Sequence, residues 1–577
     1  MIIASSRAAR LRSRRRRILL AAAVAVVGLV IVVISFTGGT PVEEQRAQRF
    51  VTAWASGDYR VMHDELTGSA RRGRPPADFA ARYRRAAATA TATRVRAGRV
   101  GALKDGVVAV PMTVTTRAFG VVRATLKLPF EGEDDDARVA WTANLTFPGV
   151  ERGEELTRSM RMPPRADILT RDGRRIAGGE DRTSPLGTAA SAIRGELGAP
   201  PPETAARLRE LGVPDDARVG VNGLERVFQD DLAGRPGGTL RAGSRVLARS
   251  RPRVAPAVRT SIDPEIQKAA VDALGALFGG VAVVRPRTGE ILGLAGVAFS
   301  SVQPPGSTFK IITLAGVLQN RVAGPRSTFP VQTAATLEGV ELENANGESC
   351  GGTLRLSFAH SCNSVFAPLG AKLGAGRLVK AAEAFGFNQD LGIPGAATST
   401  IPPADEIGDA LAVGSSAIGQ GKVQATALQM SWVAATIAHG GVRLPLTLSA
   451  VRDGVRPAGR RVLRAETARI VRRYMESVVD VGTGARAKIG GVRVAGKTGT
   501  AELRDTSTPD CTPAPEVECP PAQPDDPTDT DAWFAAFAPA AKPRIAVGVL
   551  LIANGTGGDT AAPIARQVLV ASLKATR

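Results

Sequence analysis

From Ile18 to Phe36 the chain runs ILLAAAVAVVGLVIVVISF, nineteen residues without a charge. As a helix this stretch rises about 28 Å, close to the roughly 30 Å hydrocarbon core of a bilayer and longer than the ~7 to 15 apolar residues of a cleavable signal. The SFTGGTPVEE that follows offers no AxA cleavage site, so the reading is an uncleaved transmembrane helix over 18–36. Residues 1–17 hold seven arginines, Arg7, Arg10, Arg12, Arg14, Arg15, Arg16 and Arg17, and no acid. The positive-inside bias keeps that tail in the cytoplasm and sends everything after Gly38 outward. The expectation is a single-pass membrane protein whose chemistry is extracytoplasmic.

The 577 residues leave room for three or four folded units, and 44% hydrophobic with 22% charged residues excludes wholesale disorder. Lys and Arg exceed Asp and Glu by 74 to 54, but seven of the excess lie in the tail and the rest is diffuse. Aromatic residues are only 4% and nowhere interleave with cations as a single-strand stacking platform requires, so nucleic acid is not an expected partner. Three histidines, His63, His360 and His439, and four cysteines sit at no zinc-gathering spacing. No metal and no cofactor are expected.

Residues 42–56 space Val42, Ala47, Phe50, Val51, Ala53 and Trp54 as one helical face, and VVAVPMTVTTRAFG, VVRATLKLPFEG and ARVAWTANLTF then alternate as antiparallel strands. This predicts an α+β cone over 41–149. Residues 150–254, rich in Arg, Pro and Gly, read as a connecting pedestal. From 255 to 577 the pattern is a capped helix at DPEIQKAAVDALGALFGG, a hairpin, a long mostly helical insert, three strands and a terminal helix. That order describes an antiparallel sheet with helices around it.

Three strings carry chemistry: PPGSTFK at 304–310, SCN at 361–363 and GKTGT at 496–500. Read as a helix, STFKIITLAGVL puts Ser307 in its first turn and Lys310 one turn on, on the same face. The neighbours Phe309, Ile311, Ile312 and Leu314 are apolar. A desolvated lysine has a lowered pKa, so a neutral Lys310 can take the Ser307 proton. GVRVAGKT also fits a phosphate loop through Gly491, Gly496, Lys497 and Thr498. Val492 and Val494 alternate as a strand, however, Gly499 and Thr500 spoil a helix start, and an outward-facing domain meets no cytoplasmic ATP. GTGARA at 482–487 and the GQG around Gln420 read as turns.

In this order the three strings resemble the SxxK, SxN and KTG motifs of penicillin-binding proteins and serine β-lactamases. TSIDPEIQKAA, TGEILGLAG, IGQGKVQATALQM, GTGARA, AGKTGTAEL and AWFAAFAP extend the resemblance to the class B transpeptidase domain over most of 255–577. Residues 41–180 are similar to the NTF2-like and pedestal regions of methicillin-resistance-type enzymes. The resemblance implies a five-stranded antiparallel sheet flanked by helices in the penicillin-binding domain, 255–577. It also implies a serine D,D-transpeptidase that crosslinks peptidoglycan stem peptides and is acylated by β-lactams. Ser307 is implied as nucleophile, Lys310 as base, Ser361 as proton relay and Asn363 as a ligand of the substrate amide. Lys497 and Thr498 would hold the terminal carboxylate, Gly499 would admit a peptide backbone, and the Ser307 and Thr500 N–H groups would form the oxyanion hole. A separate polytopic glycosyltransferase is the implied partner. The alternatives are a D,D-carboxypeptidase or β-lactamase built on the same motifs, and a catalytically silent β-lactam-binding sensor or scaffold.

The loop from Arg504 to Asp531 holds seven prolines and many acids and continues neither neighbouring strand. In an oxidising compartment its Cys511 and Cys519 are expected to pair, stiffening a flap at the active-site rim, with Cys350 and Cys362 left as thiols. The alternative is a surface insertion with free or intermolecular thiols. Peptide mapping under non-reducing conditions decides between them: a crosslinked 511–519 peptide is expected, and alkylation of Cys511 in oxidised envelope material would exclude the pair.

Overall fold

The computed structural model describes residues 40–502, apart from Asp453 and Arg456, and residues 529–577. The expected anchor over 18–36 and the Cys511–Cys519 pair lie outside the described residues. Among those described, no helix is long and apolar enough to cross a membrane. The described residues divide into two compact units, one of 40–162, 204–214 and 235–253 and the other of 163–203, 215–234, 254–502 and 529–577. Residues 150–254, expected as one connecting pedestal, are therefore shared between both.

In the first unit, α1 (Val42–Ser56) and α2 (Pro76–Ala90) pack on a sheet in which β2 (Val107–Thr116) lies between β1 (Ala92–Ala97) and β3 (Gly120–Glu131). The alternation read from the sequence is observed: Val108, Val110, Met112 and Val114 are buried, while Ala109 and Pro111 face out. Phe50, Trp54, Phe79, Tyr83 and Trp141 fill the core, where Trp141 Nε1 donates to the Tyr83 hydroxyl at 2.9 Å. A helix pair on one face of an antiparallel sheet is the α+β arrangement expected.

The second unit contains α3 (Pro264–Leu274), β4 (Gly279–Val284), β5 (Ile291–Gly296), α4 (Lys310–Gln319), α5 (Asn363–Leu373), α6 (Ala427–Ala438), α7 (Ala465–Asp480), β6 (Ala495–Glu502), β7 (Thr530–Ala538), β8 (Ile545–Leu551) and α8 (Ala562–Ala575). Its sheet is five-stranded in the order β5, β4, β8, β7, β6, every pairing antiparallel. Asp263 caps α3 by accepting from the Glu265 and Ile266 N–H groups, as its sequence predicts. Helices α3 and α8 cover one face of the sheet and α6 covers the other. Eleven successive residues of α6, Ala427 to Ile437, are buried, so this helix has no solvent face.

Gly548 shows how closely α6 seats on the sheet. A Cβ there would stand 2.1 Å from the Ala427 carbonyl oxygen and 2.7 Å from the Ser431 nitrogen, both backbone atoms of the helix. Gly548→Ala is expected to destabilise the protein by about 2 to 3 kcal/mol through overpacking. Denaturant unfolding would show this as a lower midpoint at constant slope; an unmoved midpoint would mean that α6 and β8 part freely.

Candidate active site

Pro305 ends an irregular segment, and Gly306 to Phe309 form a single 3-10 turn that leads into α4. This places Ser307, half-buried, at the mouth of the turn, with Lys310 the first residue of the α-helix behind it. Gly306 has φ +49° and its N–H donates to the Gly419 carbonyl at 3.0 Å, so the IGQG turn buttresses the serine from below. A Cβ on Gly306 would meet the Thr500 carbonyl oxygen at 2.4 Å, and one on Gly419 the Gly306 oxygen at 2.0 Å. A Cβ on Gly499 would meet the Pro305 oxygen at 2.7 Å. The missing side chain of Gly499, expected to admit a substrate backbone, thus makes room for the serine turn of the chain itself.

Lys310 is buried, and its Nζ is the hub of the site. It lies 3.0 Å from Ser307 Oγ, 2.7 Å from the Ser361 carbonyl oxygen, 3.3 Å from Ser361 Oγ and 2.6 Å from Asn363 Oδ1. Ser361 has φ +64°, in the left-handed region that a non-glycine residue occupies only at a cost. The surrounding backbone holds it there: the Ser361 N–H donates to the Phe358 carbonyl and the Cys362 N–H to that of Ser357, at 3.2 and 2.9 Å. In this conformation both the carbonyl and the hydroxyl of Ser361 reach Lys310. Asn363 Nδ2 donates to the Glu343 carbonyl at 2.7 Å, so this amide, expected to bind substrate, also orients Lys310 from within.

The edge strand β6 brings the third motif across. Lys497, also buried, donates from Nζ to Ser361 Oγ at 2.9 Å and to the Thr498 carbonyl at 3.0 Å. Ser361 Oγ therefore stands between the two amines. Burial, followed by repulsion from the Lys497 charge, holds Lys310 well below the ordinary lysine range, and burial brings Lys497 down to about 7. Among the described residues neither amine is paired with a carboxylate.

The two cysteines expected as thiols are a disulfide, Cys350–Cys362, with Cα atoms 5.5 Å apart. Strand Cys350–Thr353 runs straight into helix Leu354–Ala359, and the turn after that short helix returns Cys362 beside the start of the strand. A separation of twelve residues gives no hint of this return; an even cysteine count in an outward compartment was the available signal. Sequence reasoning also passed over Asn344, whose Oδ1 accepts from the Ser364 N–H at 2.9 Å and whose Nδ2 donates to the Gln332 and Glu348 carbonyls. It ties the strands before the SCN string to the start of α5. His360, next to Ser361, is exposed.

A lysine with a folded pKa of about 7 and an unfolded value near 10.4 binds fewer protons folded than unfolded between those limits. Unfolding free energy should therefore rise with pH across that window by up to about 1.4 kcal/mol per unit, and lose this slope below pH 7, where both states are protonated and the cost of burying the charge is at its greatest. Lys497→Met should remove that rise. An identical pH slope in the variant would show Lys497 to be charged in the fold throughout.

Comparison with known proteins matches residues 279–570 to the penicillin binding protein transpeptidase domain and residues 43–154 to the NTF2-like N-terminal transpeptidase domain. Over 379 residues the chain is 33% identical to the peptidoglycan D,D-transpeptidase PbpA of Mycolicibacterium smegmatis, covering 55% of this chain and 72% of that one. It is 30% identical over 417 residues to the stage V sporulation protein D of Bacillus subtilis, covering 63% and 62%. Among solved structures, PBPA from Mycobacterium tuberculosis aligns with a TM-score of 0.54 and 27% identity over 72% of this chain and 99% of that one. The ceftriaxone acyl-enzyme complex of penicillin-binding protein A from M. tuberculosis aligns with a TM-score of 0.55 and 27% identity, over 72% and 98%.

Proposed function

The chain belongs to the penicillin-binding protein transpeptidase family and is a serine D,D-transpeptidase of peptidoglycan, and from that premise we propose that Ser307 is its nucleophile and Lys310 the base that activates it. The observation that carries this assignment is the environment of Lys310 Nζ. A neutral amine has two N–H donors and one lone pair. The Ser361 carbonyl and Asn363 Oδ1, at 2.7 and 2.6 Å, accept the two protons, which leaves the lone pair for the hydroxyl of Ser307 at 3.0 Å. Burial lowers the pKa of the amine and so favours the neutral form that a general base requires.

As Ser307 Oγ bonds to the carbonyl carbon of the D-Ala-D-Ala peptide bond, its proton passes to Lys310. The backbone N–H of Ser307, in the first turn, where a helix leaves such groups without an internal acceptor, and that of Thr500 on the edge strand receive the oxyanion. When the C–N bond breaks, the departing D-Ala nitrogen takes a proton through Ser361 Oγ, which stands within reach of both amines. An amine from a neighbouring stem peptide then bonds to the acyl carbon, the ester bond to Ser307 Oγ breaks, and the amine's proton returns to that oxygen through Lys310. Lys497 and Thr498 hold the substrate's terminal carboxylate. β-Lactams acylate the same serine and block the second half-reaction.

The uncharged run over 18–36 with its arginine tail supports a single-pass anchor that leaves the catalytic unit outside the cytoplasm. The match of residues 43–154 to the NTF2-like N-terminal transpeptidase domain supports a non-catalytic role for this region and a separate glycosyltransferase as the partner that polymerises glycan.

In the full chain, Ser307→Ala should abolish covalent labelling by penicillin while leaving the unfolding midpoint within about 0.5 kcal/mol. Lys310→Ala should slow acylation by about 10²- to 10⁴-fold with the fold intact. In the unmodified enzyme the acylation rate should fall as pH drops through the depressed Lys310 pKa, and fall again above about 7 as Lys497 loses the charge with which it holds the carboxylate. Full labelling of the Ser307→Ala protein would remove the assignment, and release of the label within seconds would make the enzyme a β-lactamase.

A further inference from the structure

The string GTGARA at 482–487 was read as a turn, and its position in the fold gives it a further role. Helix α7 ends at Asp480, and Gly482–Thr483–Gly484 then passes between the second and third motifs. The Thr483 N–H donates to the Ala359 carbonyl at 3.2 Å, two residues before Ser361, and the Gly484 N–H to the Val478 carbonyl at 2.9 Å. Close approach accounts for both glycines. A Cβ on Gly482 would stand 2.1 Å from the Ala359 oxygen, and one on Gly484 would press on Val478 and Phe534 at 3.1 to 3.2 Å. A second turn closes from the other side, where a Cβ on Gly558 would lie 2.6 Å from the Thr483 oxygen and 3.9 Å from Thr498 Cγ2. An Arg486–Asp559 ion pair at 3.3 Å joins the two turns.

What this packing presents is one hydroxyl. Thr483 Oγ1 lies 2.6 Å from Thr498 Oγ1, and Thr498 Oγ1 also receives the Lys497 ammonium at 3.4 Å. A hydroxyl has one proton and two acceptor positions. If Thr483 donates to Thr498, both acceptor positions of Thr498 are filled, by Thr483 and Lys497, and its own proton can only point outward into the cleft. If Thr498 donates to Thr483 instead, the Thr498 proton is taken up within the pair and the free proton is that of Thr483, on the neighbouring turn rather than on the strand. Thr483 is exposed and can accept from water, which leaves its proton free for Thr498.

We propose that Thr483 is a positioning residue of this transpeptidase: its hydroxyl orients that of Thr498 so that the Thr498 proton meets the carboxylate of an incoming D-Ala-D-Ala terminus or β-lactam. The proposal rests on the reading of Ser307 and Thr498 above. The test measures second-order acylation of the full chain by benzylpenicillin and by its methyl ester, in which the carboxylate is masked. Thr483→Val should lower acylation by benzylpenicillin about three- to ten-fold, the effect of one orienting hydrogen bond, and leave the ester rate unchanged. Thr483→Ser, which keeps the hydroxyl, should restore the ratio of the two rates. Thr498→Val should produce the same selective loss, and adding Thr483→Val to it should cost nothing more. Equal losses with both ligands, multiplying losses in the double variant, or a Ser variant no better than Val would each overturn the proposal. The ester-to-acid ratio is read on the folded, acylatable fraction, so partial unfolding of the Val variant does not disturb it. If Ser307→Ala still labels, or Thr498→Val leaves the ratio untouched, the reading of the site itself has failed rather than the role of Thr483.

Discussion

The site depends on two buried lysines sharing one cleft without an acid between them. Removing an ammonium from water is expensive, and the usual remedy is a carboxylate partner. Here neither Lys310 nor Lys497 has one among the described residues, and each instead meets carbonyl and hydroxyl oxygens. That choice sets the protonation of the pair. A carboxylate would hold Lys310 charged and useless as a base, whereas neutral acceptors solvate either state and let burial favour the neutral one. Ser361, held at positive φ, serves both amines and so lies on a proton path between nucleophile and leaving group.

Bringing three distant strings within hydrogen-bond range of one another requires backbone to touch backbone. The contact points are accordingly glycines: Gly306 against Thr500, Gly419 against Gly306, Gly499 against Pro305, and Gly482 against Ala359. At each, a Cβ would stand only 2.0 to 2.7 Å from a backbone oxygen of the facing segment. The Cys350–Cys362 disulfide acts on the same problem covalently, pinning the middle residue of the second motif to the strand that precedes it. By the chain-entropy estimate a loop of this size is worth about 3 kcal/mol, large for a segment whose backbone carries strain next to a catalytic lysine.

Much of this was legible beforehand. The order of helices and strands in both units followed from apolar periodicity and capping residues, as at Asp263 and in the alternation from Val107 to Thr116. The three motifs named the residues that converge. What escaped was any feature made by two segments far apart in the chain. The cysteines expected as thiols are joined, because a short helix and a turn bring Cys362 back beside Cys350. Asn363, expected to face substrate, also holds Lys310 in place, and Gly499 faces the chain's own serine turn. The stretch 150–254, read as one pedestal, is divided between two units because its strands pair with different neighbours, Leu156–Arg161 with Gly237–Ala242 and Ile168–Leu169 with Val258–Arg259.

By itself, then, the sequence determined the local structure and the chemical inventory, since periodicity, caps and turn residues act over a few positions and a serine followed by a lysine at i+3 shares a helix face whatever lies elsewhere. Only the tertiary structure decided the state of that inventory. The proton balance of Lys310, the disulfide and the hydroxyl pair of Thr483 and Thr498 all depend on groups 12 or more residues apart meeting at 2.6 to 5.5 Å. Hydrogen bonding, desolvation and close packing act over such distances in space, and separation along the chain says nothing about them.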